Sequence, residues 1–501
     1  MTSLRVTYAG LISFCSGILS IGTGLAFMII VTRMLTPNEY GTLGVITSLL
    51  VYAMIFDTVI GYWALRDVAR GIKTGKTAIA SSGIFSILGV IVYYVSAFFV
   101  GAHPQLEFSV LLIAIVLVPL RSFDKILTAI NAGWRPQING YANLAAEITK
   151  VPTGLIFLYF LEMKIDGVIL TLAISLIVGI IIQLFFARQK IIGELAKETL
   201  RKWIKFIWVP ITPKNFAMLV RSDIIVFSIM VGSVVGIAYY SASLVIASLI
   251  AGVGSISGSV VAKLLESGKK GYMEENFRLL IYFLIPFTAC ALSFSRAGLF
   301  VLNPIYEVAY MVVVFLAFQT VLFTLSNTFS SFLYGTEDVD KNIKSSYKDY
   351  FKSKLFFIPV IRIIQYVVYL ITLSIMLLLA STNNSEIELV VYWSILSVLA
   401  QIPITIYLYA KVRKTFELKF DNFNVIKYCL VASVIFGLIF VVIENYVEFN
   451  PSLFEFIPSI IILAVAGFSS YIGITFIIDS KTRKLGSLII EEIKNKISKD
   501  R

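Results

Sequence analysis

Fourteen times along the chain, a run of mostly apolar residues is closed by a shorter polar stretch. The runs fall at 9–32, 41–65, 78–102, 107–131, 138–161, 165–187, 212–233, 236–262, 277–301, 308–334, 355–380, 387–410, 424–444 and 457–478. A helix needs about 20 apolar residues to cross the hydrocarbon core of a bilayer. The pattern therefore predicts an all-α integral membrane protein with about 14 transmembrane helices and no soluble domain between them. One run is out of character. LRSFDK, residues 120–125, sets Arg121, Asp124 and Lys125 inside the fourth span.

A repeat explains the depth of that insertion. FFVGAHPQLEFSVLLIAIVLVPL (98–120) resembles LFVLNPIYEVAYMVVVFLAFQTV (299–321), with Pro104 and Glu107 matching Pro304 and Glu307 at an offset of 200. Upstream, LTPNEYGTLGVITSLL (35–50) lines up with SVVGIAYYSASLVIASL (233–249), where Tyr40 meets Tyr239 at an offset of 199. Downstream, Gly133 and Gly335 fall at 202. Six spans separate the copies, so both halves share an orientation. Two six-helix lobes related by a pseudo-twofold axis along the membrane normal are a known transporter construction. The expected organisation is an N-lobe at 1–187, a cytoplasmic amphipathic linker at 188–211, a C-lobe at 212–411, an extra helix pair at 424–478 and a basic cytoplasmic tail at 479–501. The counterpart of LRSFDK stays apolar or mildly polar for another dozen residues. The fourth helix is thus expected to continue past Arg121, holding its charges in the inner half of the span. A charge facing lipid there costs a few kcal/mol, so these groups should face water between the lobes.

Composition agrees. Of 501 residues, 58% are hydrophobic and 14% charged, against roughly a quarter charged in soluble proteins. The formal net charge of +12 would raise the question of nucleic acid. Its distribution excludes that, because the cations sit in alternate connections: Arg66 to Lys76, Arg188 to Lys205, Lys341 to Lys354, Lys411 to Lys419 and Lys481 to Arg501. By the positive-inside rule these are cytoplasmic, which places both termini inside a multi-pass protein of the plasma membrane. The linker repeats Ile192, Leu195, Thr199, Trp203 and Ile207 at helical spacing with lysines opposite, as an interfacial helix on anionic headgroups does. Cys15, Cys290 and Cys429 lie in apolar spans and imply no disulfide framework.

Other charges also lie within spans: Asp57 in the second, Glu147 and Lys150 in the fifth, Arg221 and Asp223 in the seventh, Arg362 in the eleventh. Internal ion pairs are the plainer reading for any one of them. Aligning 148–160 with 360–372 places Lys150 opposite Arg362, but Asp57 maps near Ile256 and Arg121 near Val321, an asymmetry that favours a ligand. Arg121, Lys150, Arg221 and Arg362 suit a phosphate or pyrophosphate, held by charge-assisted hydrogen bonds. Asp57, Glu147 and Asp223 can bind Na⁺ or exchange protons to couple transport. Tyr141, Asn143, Tyr239, Tyr240, Gln319 and Asn327 can meet sugar hydroxyls and ring faces, although each alone is more often packing. No nucleotide-binding motif, zinc spacing or nucleophile elbow occurs. A membrane glycosyltransferase or polymerase would want catalytic carboxylates on sizeable outer loops, and the outer connections here are short. The chain therefore reads as a transporter rather than an enzyme, with no cofactor beyond a coupling Na⁺ or H⁺.

At TRMLTPNEYGTLGVITSLL (32–50) and RDVARG (66–71), the sequence resembles the polysaccharide transporter family, the Wzx-type lipid-linked oligosaccharide flippases of the MOP superfamily that also contains MATE exporters. Pro37 and the Glu39-Tyr40-Gly41 step carry the local likeness, and the span layout extends it over the chain. The resemblance implies alternating access. A polyprenyl- or dolichyl-pyrophosphate-linked oligosaccharide would be carried from the cytoplasmic to the outer leaflet, its lipid tail near spans thirteen and fourteen. Glycosyltransferases or a polymerase of the same pathway would be its partners. The four candidate cations come from their position, not from the family motif. The nearest alternative is a MATE-type cation-coupled exporter of drugs or other small molecules, which would want carboxylates with few competing cations.

Overall fold

The computed structural model describes residues 22–101, 106–135, 137–192, 195–205, 208–254, 271–334, 351, 353–382, 384–416, 422–479 and 483. His103, Pro104, Gly335, the lysines from Lys341 to Lys352 and nearly all of the tail lie outside them. Every regular element among the described residues is helical. In chain order these are α1 (Gly22–Met34), α2 (Pro37–Ala53), α3 (Ile55–Ala69), α4 (Gly75–Val100), α5 (Phe108–Ile113), α6 (Leu117–Trp134), α7 (Gln137–Gly154), α8 (Lys164–Ile191), α9 (Lys197–Lys205) and α10 (Trp208–Val231). There follow α11 (Val235–Ala251), α12 (Gly271–Ser293), α13 (Ser295–Leu302), α14 (Tyr310–Tyr334), α15 (Lys354–Ala380), α16 (Glu386–Phe416), α17 (Asn422–Tyr446) and α18 (Leu453–Ile478).

Among the described residues, nine helices are long and apolar enough to cross a membrane alone, and ten if a bent pair counts as one span. That pair is α2 and α3, which meet at Met54 with a bend of 53°. The predicted spans outside the nine are informative. Span one is described only from Gly22. Span four is interrupted by a 3-10 turn at Ala114–Val116 before its charged half begins. Span five passes Pro152 and widens into a π turn at Leu155–Phe160. Span seven carries Arg221 and Asp223. Of the candidate charged residues, all but Arg362 on α15 thus lie on the bent, irregular or charge-bearing helices.

The motif that carries the family likeness has a local physical cause. Thr36 caps α2 with Pro37 in the first turn, and Glu39 returns the favour: Thr36 N donates to Glu39 Oε2 at 2.8 Å while Glu39 N donates to Thr36 Oγ1 at 3.3 Å. This reciprocal box satisfies helix donors that would otherwise be orphaned. Two residues on, Gly41 lets α2 reach the start of α11. A Cβ there would stand 1.9 Å from the carbonyl oxygen of Val234, and one at Gly44 would stand 2.8 Å from Ile237 Cγ2. Small residues at a helix crossing allow backbones to approach this closely. The aligned repeat segments 35–50 and 233–249 therefore touch one another near their starts.

The chain forms two compact units. The first comprises Met1–Ala242 and Ser346–Leu396. Within it α3 packs on α6, α6 on α8, α7 on α8, and α10 lies along α15 and against α2. The linker helix α9 closes one end. Its Trp203 is buried among Ile60, Ala64, Val68, Ile126 and Ile130, and the indole Nε1 donates to Asp67 Oδ2 at 3.0 Å. Trp203, placed by its spacing on a lipid-facing stripe, is instead turned into the bundle, while Ile192 and Leu195 remain exposed.

The second unit comprises Ser243–Ser345 and Ser397–Arg501. The two C-terminal helices are part of its core. Tyr282 of α12 accepts at its carbonyl from Tyr471 OH at 3.0 Å and shares a hydrogen bond with Thr475 at 3.0 Å, both on α18. Phe436 and Tyr428 of α17 join the same cluster. The outward faces are stripes of large apolar side chains, such as Leu430, Val434, Leu438 and Val441 on α17. Exposed apolar area on this scale is expected of a surface bathed in lipid, not water. At one end Arg296 ties the added pair in, donating from Nε to Glu307 Oε1 at 2.5 Å and from Nη1 to Glu444 Oε2 at 2.7 Å. The Arg296→Gln change leaves two carboxylates facing each other. Because the arginine is 44% exposed, we expect a loss of about 1 kcal/mol, read as a lower melting temperature in detergent. Combining it with Glu307→Gln should return part of the loss, and purely additive losses would show that the pair contributes nothing.

Candidate functional site

The structure sorts the candidate residues into three groups within the first unit. Gln319, half-buried, and Asn327, exposed, belong to α14 in the second unit.

The first group surrounds LRSFDK. Asp57, 1% exposed, opens α3 just past the bend. Ser122 Oγ of α6 donates to its Oδ2 at 2.6 Å and Ser82 Oγ of α4 to its Oδ1 at 3.3 Å, with Lys125 attracting it from nearby. Asp124 Oδ1 accepts from Gln183 Nε2 of α8 at 2.8 Å, and Gln183 Oε1 accepts from Thr128 Oγ1 at 3.1 Å. These carboxylates are served by neutral donors. The Nε of Arg121 is buried with no hydrogen-bond partner, and Asp124 attracts the guanidinium. A buried guanidinium N–H without an acceptor forfeits the strong bond it could make.

The second group lies on α10, α11, α15 and α16. Asp223 is buried, and its Oδ2 accepts from Tyr369 OH at 3.2 Å and from Trp393 Nε1 at 3.3 Å. Trp393 also donates to Tyr369 OH at 2.8 Å, and its ring lies between Tyr240 (3.8 Å, parallel) and Phe227 (4.9 Å). Arg221 attracts Asp223. Arg221 and Arg362 both act on Tyr366, so the two cations, from α10 and α15, share a neighbourhood. Arg362 is only 5% exposed. Tyr239, beside this group, is half-buried and feels Glu386, whose Oε2 accepts from Gly236 N at 3.0 Å and so caps the start of α11.

The third group is on α7. Lys150 Nζ sits 2.5 Å from Glu147 Oε1, so here the plain ion pair is what forms. Asn143, Glu147 and Lys150 share one face at helical spacing. Tyr141 and Asn143 are exposed, and Gly24 of α1 lies opposite Glu147.

The bent span joins the first two groups. Tyr52, on the α2 side of the bend, is hydrogen-bonded to Ser222 next to Asp223. Asp57, on the α3 side, is held by Ser122 next to Arg121. Gly89 of α4 packs against Ala53 at the break itself, where a Cβ would stand 2.7 Å from the Ala53 carbonyl oxygen. Sequence reasoning passed over Tyr366, Tyr369 and Trp393, because aromatics inside apolar spans usually fill space. The available signal was their spacing: Arg362, Tyr366 and Tyr369 fall on one helix face. Among the described residues, no group of three or more His, Cys, Asp or Glu side chains is arranged to hold a metal ion.

An all-helical, multi-pass membrane protein whose charged and broken spans carry its polar side chains has, in this chain, the fold of MATE transporters. The structure superimposes on a multidrug resistance MATE family transporter of the MOP superfamily in its inward-facing conformation, with TM-score 0.60 and 13% identity, over 81% of this chain and 98% of that one. A MATE protein in the straight conformation matches with TM-score 0.54, 14% identity and coverage of 82% and 96%. The Vibrio cholerae MATE transporter VcmN in the bent form matches with TM-score 0.50, 12% identity and coverage of 84% and 100%. Identities this low establish a shared fold and nothing finer. Neither the scan against protein-family models nor the search of curated proteins returns a match.

Proposed function

We propose that this chain is a flippase. It moves a polyprenyl- or dolichyl-pyrophosphate-linked oligosaccharide from the cytoplasmic to the outer leaflet by alternating access, for glycan assembly. The observation that carries this reading is the unpartnered Nε of Arg121, buried in the middle of a span. Arg221 and Arg362 add two cations near a shared tyrosine, while Asp57 and Asp124 are occupied by neutral donors. The buried N–H of Arg121 left without an acceptor suits a pyrophosphate oxygen. Such a headgroup cannot cross hydrocarbon unaided, because its charges and hydroxyls would lose their water. Asp57 and Asp223, buried and met by hydroxyl and indole donors, are the carboxylates assigned to proton or Na⁺ coupling; Glu147 is already held by Lys150.

The fold likeness to a multidrug transporter favours a second reading, a cation-coupled exporter of small molecules. One experiment separates the two. Proteoliposomes containing the purified protein are given a fluorescent short-chain polyprenyl-pyrophosphate disaccharide, or alternatively an organic cation such as ethidium. The flippase reading expects the labelled lipid to become accessible to a membrane-impermeant quencher faster than in empty vesicles, with no movement of ethidium. Ion-driven ethidium transport without lipid movement would replace it with the exporter.

A further inference from the structure

We propose that the basic end of the first unit, built by α9 and the α3–α4 turn, is a binding site for the headgroup of an acidic phospholipid. This inference is independent of what the chain transports.

Helix α9 is held at two points. Its indole anchor, Trp203, is buried and hydrogen-bonded to Asp67, and the backbone N–H of Ala196 just before it donates to Thr77 Oγ1 at 2.9 Å. A nine-residue helix that lay loosely on a membrane would need neither. These two bonds fix the start of α9 to the first turn of α4 and its last turn to α3. Arg70, Lys73, Lys76, Lys197, Arg201 and Lys202 are all exposed on these elements. Among the described residues of 66–77 and 195–205 the carboxylates are Glu198, exposed on α9, and Asp67, hydrogen-bonded to Trp203. Holding several like charges on one rigid surface is unfavourable, and an anion shared among them offsets that cost.

The depth is right for a lipid headgroup. The lipid-facing stripe of α8, Ile177, Ile181, Leu184 and Phe185, runs directly into Arg188, whose guanidinium lies 4.9 Å from the Phe185 ring centre. Around the basic rim, Ile72, Ile192, Leu195 and Ile204 are exposed, in position to meet acyl chains. A basic surface with apolar side chains at its edge, at the end that the positive-inside rule assigns to the cytoplasm, matches an acidic phospholipid of that leaflet.

Phosphatidylglycerol and phosphatidylcholine of matched acyl chains are added separately to the detergent-purified protein, and melting temperature is measured. Phosphatidylglycerol should raise it by about 3 °C or more above phosphatidylcholine. The triple variant Lys76→Gln, Lys197→Gln, Lys202→Gln should melt normally in phosphatidylcholine and lose most of the difference. A control variant, Lys411→Gln with Lys414→Gln, removes exposed charge elsewhere and should keep it. The proposal is overturned if phosphatidylglycerol has no advantage, if both variants lose it equally, or if inorganic phosphate at equal concentration reproduces it.

Discussion

Replacing Arg121 with alanine is expected to reduce delivery of the lipid-linked glycan to the outer face by one to two orders of magnitude while leaving the protein as stable as before, or slightly more so. The two halves of that expectation have one cause. A charge-assisted hydrogen bond to phosphate contributes about 1.5–3 kcal/mol, and each 1.4 kcal/mol is a factor of ten. The Arg121 Nε makes no hydrogen bond within the protein, and Asp124 attracts the guanidinium without bonding that atom. Removing it therefore relieves the cost of a buried, poorly served charge. Arg121→Lys should recover little activity, since lysine lacks the planar fork that grips two oxygens at once. Asp57→Asn is the informative contrast. Its carboxylate accepts from Ser122 and Ser82, so that variant should lose stability as well as transport. Transport is read by quencher accessibility in proteoliposomes and stability by melting in detergent. Full transport by Arg121→Ala would remove the residue from the headgroup site. A loss of transport matched by a loss of folding would make it structural instead.

Much of this was legible before any coordinates, for reasons that are physical. Lipid forces spanning backbone into helices, so apolar runs translate directly into α2 to α18. The placement of Arg121 within the helix also followed, because the repeat partner of LRSFDK is apolar, and α6 does run on to Trp134. Three things were out of reach. The bend at Met54 has no proline or glycine to announce it; its neighbour Gly89 sits on another helix. Trp203 turns inward because Asp67, 136 residues away, is there to accept its N–H, and helical spacing alone cannot reveal a long-range partner. The grouping of Arg221, Arg362 and Tyr366 with Trp393 depends on α10 lying along α15, which no local pattern encodes. The residues that carry the local family likeness have a structural cause: Pro37 and Glu39 start a helix, and Tyr40 buries a ring.

Gly41 is the residue of that motif with the largest expected structural effect. It stands where the two repeat segments meet, and the obstacle to a side chain is backbone: the carbonyl oxygen and carbon of Val234 would be 1.9 and 2.7 Å from a Cβ. A flexible side chain can swing aside, but a carbonyl at the start of α11 cannot move without shifting that helix, together with the Gly236–Glu386 bond that caps it. Overpacking usually costs about 1–3 kcal/mol, and a rigid obstacle belongs at the upper end. Gly41→Ala should therefore lower the melting temperature by several degrees and impair transport, because α11 also carries Tyr240 onto Trp393 beside Asp223. Gly44→Ala should do less. Its obstacles, Ile237 Cγ2 and Ser241 Oγ, are side-chain atoms at 2.8 and 3.1 Å rather than backbone. Gly83→Ala, on α4 with nothing within 4 Å, should be neutral or stabilising through helix propensity alone. The order Gly41, Gly44, Gly83 is the test. If Gly41→Ala melts like Gly83→Ala, α2 does not rest on the start of α11, and the contact between the two copies of the repeat is lost with it.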